Sequence, residues 1–180
     1  MSDATPPSAL APVSVFDRLP EPEAALMLES CCGSRAWVRG MVQRRPLATL
    51  GALLAAADDV WWSLGREDWL EAFAHHPRIG ESDARQASPG ARARGWSADE
   101  QRGVTASPEE IREALAVGNQ EYERRFGYIY LVSAAGKSAG ELLTLLHQRL
   151  TNDPATELRV AATEQAKITS LRLRKLLRDG

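Results

Sequence analysis

Two adjacent histidines, His75 and His76, stand directly before Pro77 in the run Phe73-Ala74-His75-His76-Pro77-Arg78-Ile79-Gly80-Glu81. Proline disfavours the helical conformation of the residue before it, so a helix arriving from Trp69, Leu70 and Phe73 is predicted to end at about His76. Imidazole changes charge near neutral pH, and the edge of packed structure is where acid/base groups are mounted. The same position also suits a histidine that only complements the helix dipole and bonds the last carbonyls.

Arg172 is the second residue with chemistry to offer. At 100° per residue it falls within about 40° of Leu158, Ala161, Gln165, Ile168 and Leu176, near the centre of an apolar stripe, whereas Arg174 points the other way. A guanidinium placed there either meets an anion or runs its stem over the core to reach water. In the first case its planar fork suits a carboxylate or another planar oxygen acceptor. Glu100 follows Ser97 by three residues, the spacing of a capping box, so its carboxylate either caps a helix or, with Ser97 and Gln101, lines a polar wall among free N–H groups.

Other patterns carry less. Gly136-Lys137-Ser138 lacks the first glycine of a phosphate loop, because position 131 is Leu131. Cys31, Cys32, His75, His76 and His147 show no i, i+4 pair of ligands on a helix, so no metal site is assigned. Trp37, Trp61, Trp62 and Trp69 are read as core.

The elements that must position these residues are helical. Pro22 opens a short helix through Leu26 and Met27 that ends near Gly33; Ser34 caps the next, which presents Trp37, Val38 and Met41 and stops before Pro46. Leu50, Leu53, Leu54, Ala57, Val60, Trp61 and Leu64 follow at helical spacing up to Gly65. Ser97 with Glu100, Ser107 with Glu110 and Ser138 with Glu141 mark three more starts, and Asp153-Pro154 opens a long last helix through Leu176. Phe126 to Val132 is the single β-like run, and one run cannot make a sheet. The fold class read from this is all-α, a single-domain multi-helix bundle threaded by one short extended segment. The polar, glycine- and proline-rich stretch between Gly80 and Gly95 is expected to be a mobile loop beside the site.

With 180 residues, 44% of them hydrophobic, the chain can bury one substantial core. Residues 1–13, with three prolines and no signal-peptide pattern, are read as a flexible tail, and residues 14–180 as the domain. A formal charge of −2 argues against nucleic-acid or membrane-surface binding, and no apolar run approaches a membrane span. Two adjacent cysteines fit neither a disulfide framework nor a zinc pattern, which points to a reducing cytoplasm.

The HPRIGE run, then WSADEQ at 96–101, then RFGYIYLVSAAGKS at 125–138, closing on RLTNDPATELRVAATEQAKITSLRLRKLL, resembles the 2-oxo-4-hydroxy-4-carboxy-5-ureidoimidazoline (OHCU) decarboxylase family in order and spacing. The likeness starts at about Cys31-Cys32-Gly33-Ser34 with Trp37. It implies an all-helical, generally homodimeric enzyme without metal or organic cofactor, which releases carbon dioxide from OHCU to yield (S)-allantoin in urate degradation. Carried over by position, it implies His76, Glu100 and Arg172 as catalytic residues. Pro77, Ser97 and Gln101 would be substrate contacts, and Tyr130, Leu131, Val132, Ser133 and Ala134 the stretch whose backbone groups hold the ligand. His75 has no role defined by this pattern. The competing reading is a non-catalytic helical ligand-binding or interaction domain in which Arg172 reaches water and Glu100 only caps.

Overall fold

The computed structural model describes residues 11–79 and 108–178. Among them are eight helices: α1 (Val13–Arg18), α2 (Glu21–Glu29), α3 (Arg35–Gln43), α4 (Leu50–Ser63), α5 (Arg66–Ala74), α6 (Glu109–Phe126), α7 (Ala139–Arg149) and α8 (Pro154–Leu176). Two dipeptide strands, β1 (Ala11–Pro12) and β2 (Leu177–Arg178), pair in parallel.

Local chemistry sets most boundaries. The Ser34 hydroxyl accepts from the Trp37 N–H at 3.3 Å, and the Asp153 carboxylate accepts from the Ala155 and Thr156 N–H groups at 3.0 Å each, which start α3 and α8 where the sequence places them. Ser138 and Glu141 complete a reciprocal capping box. Helix α6 follows Pro108, whose fixed φ suits a helix entry, and Ser107 of the expected Ser107–Glu110 box lies outside the described residues.

Two cores are joined by one stretch of chain. The larger gathers α1–α5 against α8 and contains Trp37, Trp61 and Trp69, each with its indole N–H donating to a backbone carbonyl. Trp62 departs from the expected core set, being 38% exposed with the Arg159 guanidinium over its ring. The smaller core joins α6 and α7 with Ile79. Between them runs 130–134, with Leu131 in the larger core and Tyr130, Val132 and Ala134 in the smaller, the period-two alternation of an extended chain. Both of its faces are buried, which is why the run reads as uniformly apolar.

The tail boundary moves. Val13 is fully buried and β1 lies against β2, so residues 11–13 belong to the fold. Pairing between the two ends of a chain leaves no local pattern, and three such residues carry no periodicity.

Candidate active site

Helix α5 delivers the two histidines. Its N-terminus is set by Asp68 accepting from the Gly65 N–H at 3.3 Å, and it buries Trp69, Ala72 and Phe73. His75 is the C-cap, one residue earlier than the proline argument places the helix end, and the His76 N–H still donates to the Phe73 carbonyl at 3.1 Å. The His75 Nδ1 lies 2.8 Å from the Glu71 carbonyl oxygen; a carbonyl only accepts, so this nitrogen carries the hydrogen. Glu71 is held in turn by Arg35 at the start of α3, through Nε at 2.5 Å and the backbone N–H at 3.0 Å, which lowers its carboxyl pKa against the desolvation that would raise it.

The chain beyond Pro77 is fixed from the other core. Arg78 forks onto Glu123 of α6 at 2.5 and 2.9 Å, and Asn119 donates to the Ile79 carbonyl at 2.8 Å. His76 and Pro77, both half-buried, thus sit between two anchored points.

Helix α8 faces them. Gln165, Thr169 and Arg172 occupy one side at i, i+4 and i+7, and all are buried, Arg172 to 4% exposure. That rules out a guanidinium that merely reaches water; Arg174 is exposed, as its angular position requires. Burial drives the His76 imidazole down to about 3, the nearby Arg172 charge and His75 add to this, and among the described residues the Gln165 side chain opposes it. At neutral pH His76 is therefore an uncharged imidazole with one N–H and one lone pair. Cys32, at the end of α2 beside Ser34, closes the back of this group; burial pushes its thiol up to about 12 despite the Ser34 and Thr169 contacts and the Arg172 charge.

The extended stretch 130–134 is secured by charged side chains. The Arg149 Nη1 donates to the Leu131 carbonyl at 2.7 Å, the Ser133 N–H donates to Glu164 at 2.8 Å, and the Lys137 Nζ donates to the Ser133 carbonyl at 2.7 Å. Arg149 is itself paired with the buried Glu157 at 2.6 Å, which also accepts from Tyr122 and from Asn152. Val132 and Ala134 pack in the same core as Ile79, which ties this stretch to the His76-Pro77 turn.

Of the residues singled out in the sequence, the structure gathers His76, Pro77 and Arg172 about one turn and holds 130–134 between the two cores. Ser97, Glu100 and Gln101, and the stretch between Gly80 and Gly95, lie outside the described residues. Gln165, Thr169 and Cys32 were missed as site residues. The usable signal was that Gln165 and Thr169 are polar residues on or beside the apolar stripe of Arg172.

Comparison with known proteins decides the family. The OHCU decarboxylase family profile matches residues 17–174. The chain belongs to the OHCU decarboxylase family. It is 37% identical over 150 residues to the uric acid degradation bifunctional protein TTL of Arabidopsis thaliana, covering 83% of this chain and 46% of that protein. It is 30% identical over 102 residues to the 2-oxo-4-hydroxy-4-carboxy-5-ureidoimidazoline decarboxylase of Amia calva, 57% of each. The chain thus spans about half the length of these relatives. An OHCU decarboxylase crystallised in the presence of (S)-allantoin superposes with a TM-score of 0.71 at 33% identity, covering 84% of this chain and 96% of that one. The all-helical architecture of this OHCU decarboxylase family member is the same, and among its described residues no helix is long and apolar enough to cross a membrane.

Proposed function

We propose that this chain decarboxylates OHCU to (S)-allantoin in urate degradation, with His76, Glu100 and Arg172 as its catalytic residues. The observation that carries the reading is a neutral, half-buried imidazole at a helix end beside a buried arginine, in a chain whose family is shown.

The reaction suits such a site. In OHCU the carbon that bears the carboxylate also bears a hydroxyl and adjoins a ring C=N bond. When the bond to the carboxylate breaks, its electron pair forms a C=C bond to the neighbouring ring carbon, and the imine pair moves onto nitrogen, which takes a proton. Loss of the hydroxyl proton and delivery of a proton to one face of that ring carbon complete the product. The substrate supplies its own electron sink, so the protein's share is orientation, proton handling and charge.

In this reading His76, uncharged, takes the hydroxyl proton, and Arg172 binds substrate oxygens through its planar fork. Glu100 orients or balances the imidazole and accepts from ureido or ring N–H groups, with Ser97, Gln101 and Pro77 completing the wall. Within 130–134 the Ser133 N–H is committed to Glu164 and the Leu131 carbonyl to Arg149, so the ligand is held by other backbone groups of the stretch. The working unit is a homodimer in the cytoplasm, and no metal or organic cofactor takes part.

Freshly generated OHCU tests the whole. The purified chain should speed its loss and yield (S)-allantoin in excess over the other hand, followed by circular dichroism. Racemic product at the spontaneous rate would overturn the reading, and a monomer by sedimentation would overturn the homodimer.

A further inference from the structure

The groups behind His76 form a chain with a direction. Gln165 is fully buried, and its Nε2 donates to the Thr169 Oγ1 at 3.1 Å. The Thr169 hydroxyl is in turn in hydrogen-bond reach of the buried Cys32 sulfur. The Gln165 NH2 is spent on the Thr169 oxygen, which leaves its amide oxygen to face elsewhere. The Gln165 Oε1 is thereby turned toward His76. This oxygen is buried without a hydrogen-bond partner of normal geometry, although the Gln165 side chain and the His76 ring are near enough to interact. A buried acceptor left unpaired is unfavourable, and an imidazole N–H relieves that cost. The Arg172 guanidinium, which also faces the ring, has no lone pair to offer and cannot substitute as acceptor.

We propose that Gln165 is a positioning residue that fixes which ring nitrogen of His76 carries hydrogen, through a one-way relay from His76 to Gln165, Thr169 and Cys32. The N–H faces Gln165, and the lone pair of the other nitrogen faces outward to the substrate. The relay has a function because His76 is uncharged: a neutral imidazole with the wrong tautomer presents a donor where a base is needed. This inference rests on the reading of His76 as the base, and Gln165, Thr169 and Cys32 act through it without touching substrate.

The test uses the full chain with 15N-labelled histidine. Long-range proton–nitrogen correlation spectra at neutral pH report the His76 tautomer directly. The native protein should show one tautomer. Gln165→Leu should give a mixture and lower kcat by about tenfold or more, with KM nearly unchanged. Gln165→Glu keeps an acceptor, so it should restore the single tautomer and, by favouring the imidazolium, move the acid limb of the rate profile upward. Thr169→Val frees the amide to turn over and should mix the tautomers in part. An unaltered spectrum and kcat in Gln165→Leu would overturn the proposal; if that variant does not fold, the same result in Thr169→Val does so. A fully active His76→Ala would instead remove the base reading, and the spectra would still decide the relay.

Discussion

The ring of His75 occupies the space that a side chain on Gly33 would need: a Cβ there would fall 2.3 Å from the ring Cγ and 2.6 Å from Nδ1. The turn between α2 and α3 is thereby keyed to the end of α5, and the ring cannot swing away without losing its bond to the Glu71 carbonyl. Gly33→Ala should lower stability by roughly 1–3 kcal/mol through overpacking. Adding His75→Ala should recover much of that loss, a coupling that urea titration of the two single variants and the double variant measures.

The same contact separates the two histidines. His75 is committed to the scaffold, whereas His76 meets the face of α8 that carries Arg172. His76→Ala should nearly abolish decarboxylation with the helical circular dichroism retained, and His75→Ala should keep much of the rate. The reverse ranking at equal stability would reassign the base.

Arg172→Ala and Arg172→Lys should both lower activity severely, and Arg174→Ala should be mild. Loss of a charge-assisted contact to a substrate oxygen costs on the order of 1.5–3 kcal/mol, or roughly one to two powers of ten in kcat/KM. Lysine keeps the charge without the fork and so rescues little. A destabilised Arg172→Ala with full activity per folded molecule would take the residue out of the site.

How far these residues can be read from the sequence follows from how local their determinants are. Arg172 sits where the 100° wheel places it because α8 is long and its cap, Asp153-Pro154, is unambiguous. The extended stretch is legible as a break in helical period, but not its sharing between two cores, since Leu131 and Val132 look alike until the helices packed on each side are known. Pairing of β1 with β2 and the meeting of Gln165 with His76 join positions far apart in the chain, and no local pattern encodes either.

The depressed His76 pKa sets a pH dependence with a definite sign. The unfolded chain takes up a proton as pH falls through about 6.5, while the folded imidazole resists until about 3. Stability contributed by the neutral ring is therefore full above the upper value and is lost as pH falls through that window, at no more than about 1.4 kcal/mol per pH unit. Arg172→Ala removes a cause of the depression, so the His76 pKa should rise and the slope should flatten at the acid end. Urea titrations across the window, with histidine NMR, check both.

The buried pair of Arg149 and Glu157 offers a cleaner separation of fold from function. Glu157→Gln or Arg149→Leu alone leaves one buried group without its partner and should cost roughly 3–5 kcal/mol. The double replacement Arg149→Met with Glu157→Leu should regain stability, yet Leu131 then lacks its donor and kcat/KM should stay low. Stability and activity that recover together would show that this pair does not position the 130–134 stretch for the substrate.

Exhaustive chelation should leave turnover unchanged, since the imine of OHCU accepts the released electron pair. Loss of activity restored by one metal ion would disprove this.

The short parallel ribbon has a topological consequence. Pairing Ala11 with Leu177 and Pro12 with Arg178 sets the first and last described strands about 5 Å apart, so a linker of a few residues could join them and the chain could be opened elsewhere with little change in closure entropy. A circular permutant cut at the exposed turn about Gly136 would sever the Lys137 clamp on Ser133, whereas one cut at Asn152 would detach the amide that Glu157 accepts from. A cut at the turn of Gly65, outside both networks, would leave the 130–134 stretch undisturbed but take from α5 the Gly65 N–H bond to Asp68 that sets its start.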